Sequence, residues 1–131
     1  MAVATIYDPA DNNRLPCAAS VLVATAVGGA ATEYIGPLYG KLEALAYTKV
    51  DFADTVDFAI TNELTGETIW TQANRTASQV VRPRVITQDT AGADSTTLVI
   101  REPYFFAGQR IKIVIAAGGD AKTGRFTALL S

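Results

Sequence analysis

Three regularly spaced aspartates, Asp51, Asp54 and Asp57, come closest to a metal or acid–base site. Such carboxylates could ligate calcium or act as the paired acids of a glycoside hydrolase. In a strand, however, residues three apart face opposite sides, and the alternating acids and central glycine of a calcium loop are missing. The spacing therefore favours aspartates in solvated turns over a metal or catalytic site.

The supply of nucleophiles and general bases is equally small. The sequence has no histidine, which is the commonest general base and a frequent zinc ligand, and its one cysteine is Cys17. Cys17 follows Pro16 and precedes two alanines, a setting with neither a cation nor a helix N-terminus to form a thiolate, so we interpret it as an inert packed thiol. We predict a protein that is not an enzyme and that holds no metal ion and no cofactor.

Two glycine pairs, Gly28-Gly29 and Gly118-Gly119, resemble phosphate-binding loops in composition alone. Neither pair stands between a strand and a helix with the lysine and hydroxyl that such loops require. We predict that both pairs form turns.

Arginines interleaved with aromatic residues can form a stacking surface for single-stranded nucleic acid. The net charge of −2 and the pI of about 5.0 argue against binding to phosphate backbones or anionic membranes. We therefore expect no nucleic acid and no membrane partner. The arginines are expected to form ion pairs on sheet faces or to lie at an interface with another subunit. They are Arg75, Arg82, Arg84, Arg101 and Arg110.

The densest aromatic cluster is Pro103-Tyr104-Phe105-Phe106-Ala107-Gly108. It can close one end of the core, or it can be exposed as an anchor for a partner. The sequence favours the core and leaves the anchor open.

Charged residues make up 18% of the 131 residues, below the roughly 25% of an average soluble domain. Either another molecule covers part of the surface, or the outside carries many small alanines and threonines. The length predicts one domain, residues 1–131. The first residues lack a basic region followed by a long apolar run, so we expect no secretory signal there. The apolar stretch 17–31 is shorter than the about 20 residues that cross a bilayer.

Short apolar runs separated by Gly, Asn, Asp or Pro predict an all-β, antiparallel β-sandwich or jelly-roll-like domain. The clearest strands cover residues 110–116, with Ile111, Ile113 and Ile115 inward, and residues 55–61. Residues 62–67 predict a turn into a second hairpin strand at 68–71, with Trp70 at least partly buried. Further strands are predicted at 41–49, 79–87, 97–101 and 124–130.

Three segments are less regular. Pro83 cannot donate to a ladder, so strand 79–87 should be an edge strand or carry a bulge at residues 82–84. Residues 17–31 could be helix or strand, and the alternation of Val21, Val23 and Thr25 favours a strand. Residues 1–15 predict an N-terminal arm or edge strand followed by a loop.

Several turn and strand motifs between residues 36 and 131 resemble small virion proteins of tailed bacteriophages, of the capsid decoration (cement) type. The motifs are Gly36-Pro37-Leu38-Tyr39-Gly40-Lys41-Leu42, Ile69-Trp70, Arg82-Pro83-Arg84-Val85, Gln88-Asp89-Thr90-Ala91-Gly92 and Gly118-Gly119-Asp120-Ala121-Lys122-Thr123-Gly124. The resemblance implies a β-sandwich or jelly roll that forms a homotrimer, is made in the host cytoplasm and sits on the phage head, where it bridges subunits of the major capsid protein. It implies no catalytic activity.

We therefore expect a virion structural protein that contacts its partner through residues spread along the chain. The candidate contacts are Ile6, Tyr7, Pro37, Tyr39, Arg82, Arg84, Tyr104 and Phe105. One alternative is a tail, baseplate or head-to-tail connector component. Another, of a different class, is a jelly-roll carbohydrate-binding module with Tyr34, Tyr39 or Trp70 as the sugar platform.

Overall fold

The computed structural model of the protein describes residues 4–5, 17–96 and 100–131. These residues form twelve β-strands and no helix, which confirms the predicted all-β class. The strands are β1 (Ala4–Thr5), β2 (Cys17–Ala24), β3 (Ala31–Ile35), β4 (Tyr39–Lys49), β5 (Asp57–Asn62), β6 (Thr68–Gln72), β7 (Gln79–Val81), β8 (Val85–Ile86), β9 (Arg101–Glu102), β10 (Phe105–Ala107), β11 (Ile111–Ala116) and β12 (Thr123–Leu130).

The strands form two main antiparallel sheets in a β-sandwich-like arrangement. Sheet I has the order β1-β2-β12-β4-β10, and β7 also pairs with β4. Sheet II has the order β3-β11-β5-β6. A third, two-stranded unit pairs β8 with β9, and we call residues 85–102 the ribbon.

The core forms because strands of both sheets alternate between buried and exposed residues. In β11, Ile111, Ile113 and Ile115 are buried as predicted, and in β12 the inward residues include Phe126 and Ala128. Successive side chains on a strand point to opposite faces, so this alternation places one apolar face of each sheet inside. An aromatic group with Tyr47, Phe52, Phe58, Trp70 and Phe126 fills the centre.

The hairpin prediction is confirmed for β5 and β6. Phe58 and Ile60 face inward in β5, and Asn62 closes the turn by accepting hydrogen bonds from the backbone N–H groups of Leu64 and Thr65. Trp70 lies opposite Ile60 and is 9% exposed. The turn therefore relies on an asparagine side chain that is itself buried.

Residues 17–24 form a strand rather than a helix, as the alternation favoured. Val21 and Val23 are fully buried, and Thr25 follows them at 6% exposure. The Thr25 hydroxyl donates to the Gly119 carbonyl (2.6 Å) and accepts from the Lys122 backbone N–H (2.9 Å). A buried hydroxyl needs such partners, and here they join the end of β2 to the turn between β11 and β12.

The two glycine pairs form turns, as predicted, and the turns lie against each other. Gly118 N donates to Gly29 O at 3.0 Å, and a β-carbon built on Gly29 would lie 2.8 Å from Gly118 N. Gly29 also has a φ of +84°, a conformation that favours glycine. Asp120 completes the contact by accepting a hydrogen bond from Gly28 N.

The prediction of a single strand over residues 79–87 is wrong. The segment forms β7, which pairs with β4 at the edge of sheet I, and β8, which pairs only with β9. Pro83 lies in the break and has no N–H to donate, so the ladder cannot continue through it. The predicted edge position therefore holds for β7, while the chain beyond Pro83 leaves the sheet.

Two other predictions fall partly outside the described residues. Of the strand predicted at 97–101, residues 97–99 are outside and β9 begins at Arg101. Of the N-terminal arm, only Ala4 and Thr5 are described, and they form an edge strand opposite Ser20 and Ala19 of β2.

Candidate docking surface

The structure brings four of the predicted contact residues to one end of the sandwich, around β10 and the start of β4. They are Pro37, Tyr39, Tyr104 and Phe105. Ile6 and Tyr7 lie outside the described residues, and the two arginines lie further along the edge of β4. We refer to Tyr39 and Phe105 together as the aromatic edge.

The aromatic edge results from antiparallel pairing between β4 and β10. Tyr39 lies opposite Ala107 and Phe105 lies opposite Lys41, so all four side chains project from the outer face of sheet I. Tyr39 is 57% exposed and Phe105 is 66% exposed. Diagonal neighbours on such a pair are close enough for aromatic side chains to act together.

The aromatic cluster is divided between core and surface. Phe106, whose side chain points the opposite way from that of Phe105, is 1% exposed and belongs to the core. Tyr104 is half-buried, and its hydroxyl donates to the Thr68 carbonyl at 3.0 Å. Burial raises the pKa of this hydroxyl above its usual value. Because side chains alternate along the strand, the cluster contributes Phe106 to the core and exposes Phe105 on the surface.

A shallow cleft of about 370 Å³ adjoins the aromatic edge on the side of Pro37 and Leu64. The edge of Tyr39 lies against Gly108, where a β-carbon would be 3.6 Å from its ring. Arg110 lines the same cleft, and its guanidinium binds both carboxylate oxygens of Glu63, with Nε–Oε1 at 2.7 Å.

Arg110 also stacks on an aromatic ring, with its Cζ 4.1 Å from the ring centre of Tyr34. The hydrogen bond from Arg110 lowers the pKa of Glu63, and the same bond raises the pKa of Arg110. Arg110 therefore forms an ion pair, as expected of these arginines, but the pair lies at the end of sheet II, just beyond β5 and before β11. Because its Nε, its Nη2 and its flat face are engaged, Arg110 is held in place in the wall of the cleft.

Arg84 is half-buried and binds the backbone of β4. Its Nη1 donates to the carbonyls of Leu42 (3.4 Å) and Glu43 (3.2 Å), and its Nη2 lies 3.4 Å from the Glu43 carboxylate. These carbonyls belong to the stretch of β4 between the parts that pair with β7 and β10. The guanidinium therefore takes the place of a strand at this gap, while Arg82 is exposed.

The ribbon leaves sheet I through the same gap. None of the described residues between 82 and 104 is buried, so this segment adds nothing to the centre of the core. Its pairs are Val85 with Glu102, Ile86 with Arg101, and an isolated bridge between Gln88 and Asp94. Short two-stranded units of this kind are only marginally stable on their own.

The three aspartates each bind a different partner. Asp51 accepts from the backbone N–H of Thr123, and this bond lowers the pKa of the carboxyl. Asp54 pairs with Lys49, and Asp57 accepts from Asn74 N. Among the described residues, no group of three or more potential metal ligands is present. The aspartates therefore serve turns and strand ends.

Sequence reasoning missed a set of exposed apolar residues on the outer face of sheet I. Leu22, Val80 and Leu129 are 44%, 60% and 38% exposed. Each stands between two inward-facing residues of its strand, and this alternation is the signal that could have identified them.

Comparison with known proteins adds no assignment. No protein-family model, no curated protein and no solved structure matches this chain. In the described part of the chain, no helix is long and apolar enough to cross a membrane.

Proposed function

We propose that this protein is a non-enzymatic virion structural protein of a tailed bacteriophage, namely a capsid decoration protein. It binds the outside of the head as a homotrimer and stabilises contacts between subunits of the major capsid protein. The proposal starts from the resemblance of residues 36–131 to such proteins. The observation that carries it is the exposure of Tyr39 and Phe105 on one sheet face.

Large aromatic side chains are costly to leave in water and contribute strongly to protein interfaces. Tyr39 and Phe105 project from paired strands, so the backbone fixes their spacing before a partner arrives. Little conformational entropy is then lost on binding, which is the advantage of a preorganised contact. The half-buried Tyr104, which directly precedes Phe105, is held in place by the hydrogen bond from its hydroxyl to the Thr68 carbonyl.

The direct test is binding to heads of the encoding phage that lack this protein. We expect the chain to cosediment with expanded heads, and the double variant Tyr39→Ser/Phe105→Ser to bind at least about tenfold more weakly. The matched control is Val27→Ser/Val50→Ser, which removes two exposed apolar residues (86% and 56%) from the turns at the opposite end. Equal binding by the aromatic variant and the control would contradict a role for the aromatic edge.

Copurification also separates the proposal from a tail, baseplate or connector component. A decoration protein is found with tailless heads, whereas a tail or baseplate protein is found with isolated tails. A connector forms rings at one vertex. Sedimentation of the purified chain tests the trimer.

A carbohydrate-binding module remains the second candidate, because Tyr39 is exposed beside a cleft that Gln109 and Arg110 line. Trp70 is buried, and the guanidinium of Arg110 stacks on Tyr34, so of the three residues first considered Tyr39 is the best platform. A glycan array distinguishes this candidate: binding that Tyr39→Ala abolishes supports it, and an array without hits contradicts it.

A further inference from the structure

Exposed apolar side chains are concentrated on one face of the molecule. The described residues include ten large hydrophobic residues that are exposed, and five of them project from the outer face of sheet I. These five come from five different strands of the sheet, so they span its width. They are Leu22 on β2, Tyr39 on β4, Val80 on β7, Phe105 on β10 and Leu129 on β12.

The residues between these five in two neighbouring rows are small and uncharged. Ser20, Thr127, Ala46 and Val80 form one row across β2, β12, β4 and β7. Ala18, Leu129 and Ala44 form the next row. Leu22 lies in the neighbouring row, beside Arg125 and Thr48, and the exposed surface is interrupted before the aromatic edge at Ala44, which is fully buried.

The outer face of sheet II differs. Its central row is Thr32, Val114, Ala59 and Thr71, and Val114, at 38% exposure, is the one large hydrophobic residue that the described strands expose there. The contrast shows that apolar exposure is a property of one face and not of both sandwich surfaces. Sheet II is therefore an internal control for sheet I.

The unpaired charges on the described strands of sheet I that reach its outer face are both positive. Lys41 and Arg125 are exposed, and neither forms an ion pair with a described residue; Arg125 donates a hydrogen bond to Ser20. Glu43 is the only carboxylate in the described strands of this sheet, and it is engaged by Arg84 and Ser131. Glu67 and Glu102 line a cleft together with Lys41 and Phe105, so two carboxylates lie beside this face at its β10 end.

We infer that the outer face of sheet I is the docking face, and that its partner is an acidic protein surface with apolar residues at its centre. The inference rests on the proposed function, and it assigns that chemistry to the outer surface of the major capsid subunits. Burial of the apolar side chains contributes binding affinity. The unpaired cations orient the protein on its partner and raise the association rate in a salt-dependent way. Sheet II then faces away from the shell.

The experiment measures cosedimentation with expanded heads that lack the protein, at low and high salt. The charge variant is Lys41→Glu/Arg125→Glu, and the apolar variant is Leu22→Ser/Leu129→Ser. The control, Lys112→Glu/Val114→Ser, makes the same kinds of change on sheet II. We expect each sheet I variant to bind at least about tenfold more weakly and the control to bind within about twofold of the natural sequence.

Salt gives an independent readout. Added salt screens exposed charges beyond about 8 Å at physiological ionic strength. Binding by the natural sequence should weaken as salt rises, and Lys41→Gln/Arg125→Gln should reduce that dependence even if the charge reversals fail to fold. Circular dichroism and thermal unfolding confirm which variants are folded.

The outcomes separate the inference from the proposed function. If the natural sequence binds heads and the sheet I variants bind equally well, or the sheet II control loses binding, the docking face is wrong and the function stands. If the natural sequence does not bind heads, both are wrong. If the sheet I variants change only the oligomeric state, the face joins copies of this chain, and the acidic partner is excluded.

Discussion

The ring of Phe52 lies directly against the backbone of Gly124, where a β-carbon would come within 2.6 Å of Cδ2 of Phe52. Gly124 lies near the start of β12, opposite Val23 on one side and Lys49 on the other. Phe52 is 2% exposed and stacks on Tyr47. The missing side chain of Gly124 is therefore the space that this core ring occupies.

Gly124→Ala should lower the free energy of unfolding by about 1–3 kcal/mol, because overpacking forces the ring or the strand to move. Chemical denaturation measures the change. The matched control is the double-mutant cycle with Phe52→Ala, in which the cost of the added methyl group should largely disappear. A cost that persists without the ring would place the strain elsewhere.

Tyr47 and Gln79 are register partners on β4 and β7, and the buried Tyr47 hydroxyl and Gln79 Oε1 have no hydrogen-bond partner among the described residues. Removing a buried hydroxyl that has no partner breaks no hydrogen bond in the folded protein. Tyr47→Phe should therefore leave the stability unchanged or raise it by up to about 1 kcal/mol. A decrease in the free energy of unfolding of more than about 1 kcal/mol, measured by urea denaturation, would show that the hydroxyl is hydrogen-bonded.

The burial of Tyr47 also predicts that the stability of the fold decreases at high pH. Burial raises the pKa of Tyr47 above its usual value of 10.0. Above pH 10 the unfolded chain loses this proton while the folded chain keeps it, so the free energy of unfolding falls as the pH rises further. Tyr47→Phe should make this alkaline loss smaller than in the natural sequence.

Much of this architecture could be predicted because its signals are local. Ile111, Ile113 and Ile115 alternate within one strand, and Val21 and Val23 do so in another, so their inward faces follow from the period of two. Pro83 likewise marked an interruption. That the chain would leave the sheet there, with Arg84 filling the gap, depends on which strands are neighbours in space.

The candidate surface was predictable in part for the same reason. Tyr39 and Phe105 stand out in the sequence as aromatic residues near turns, whereas Leu22 and Leu129 resemble ordinary strand residues. Their common face becomes visible only when β12 is placed between β2 and β4. The role of Gly124 also required coordinates, because Phe52 is remote from it in sequence.

Acid should weaken the contact between Glu63 and Arg110. The hydrogen bond from Arg110 lowers the pKa of Glu63 below its usual value of 4.5. The contribution of this contact to stability is therefore present above that pH and is lost as the pH falls through the lowered pKa. Glu63→Gln should flatten this part of the pH profile in thermal unfolding. Glu102→Gln, which removes a carboxylate with no ion pair to a described residue, is the control.

Neighbouring positions in β11 test the assignment of its faces. Ile113 is fully buried and Val114 is 38% exposed. Ile113→Asp should cost about 3–5 kcal/mol, because it buries a charge without a partner, whereas Val114→Asp should cost about 1 kcal/mol. Equal costs in equilibrium denaturation would show that the two faces are not distinct.

The ribbon should be dispensable for folding of the two sheets. Val85 pairs with Glu102, and opposed antiparallel residues lie only about 5 Å apart, so a short Gly-Ser linker can join residues 84 and 103. We expect this deletion to lower the free energy of unfolding by less than about 2 kcal/mol, since no described ribbon residue is buried. Loss of the β-sheet circular dichroism signal would contradict this.

The central place of β12 constrains how the chain can fold during translation. Its residues leave the ribosome after those of the other eleven strands, yet they supply the hydrogen-bonding neighbour of both β2 and β4. Until they emerge, both strands present open edges of the kind that recruit foreign chains. The nascent protein therefore cannot complete its larger sheet stepwise, and the period just before residues 123–130 emerge is its time of greatest exposure to aggregation.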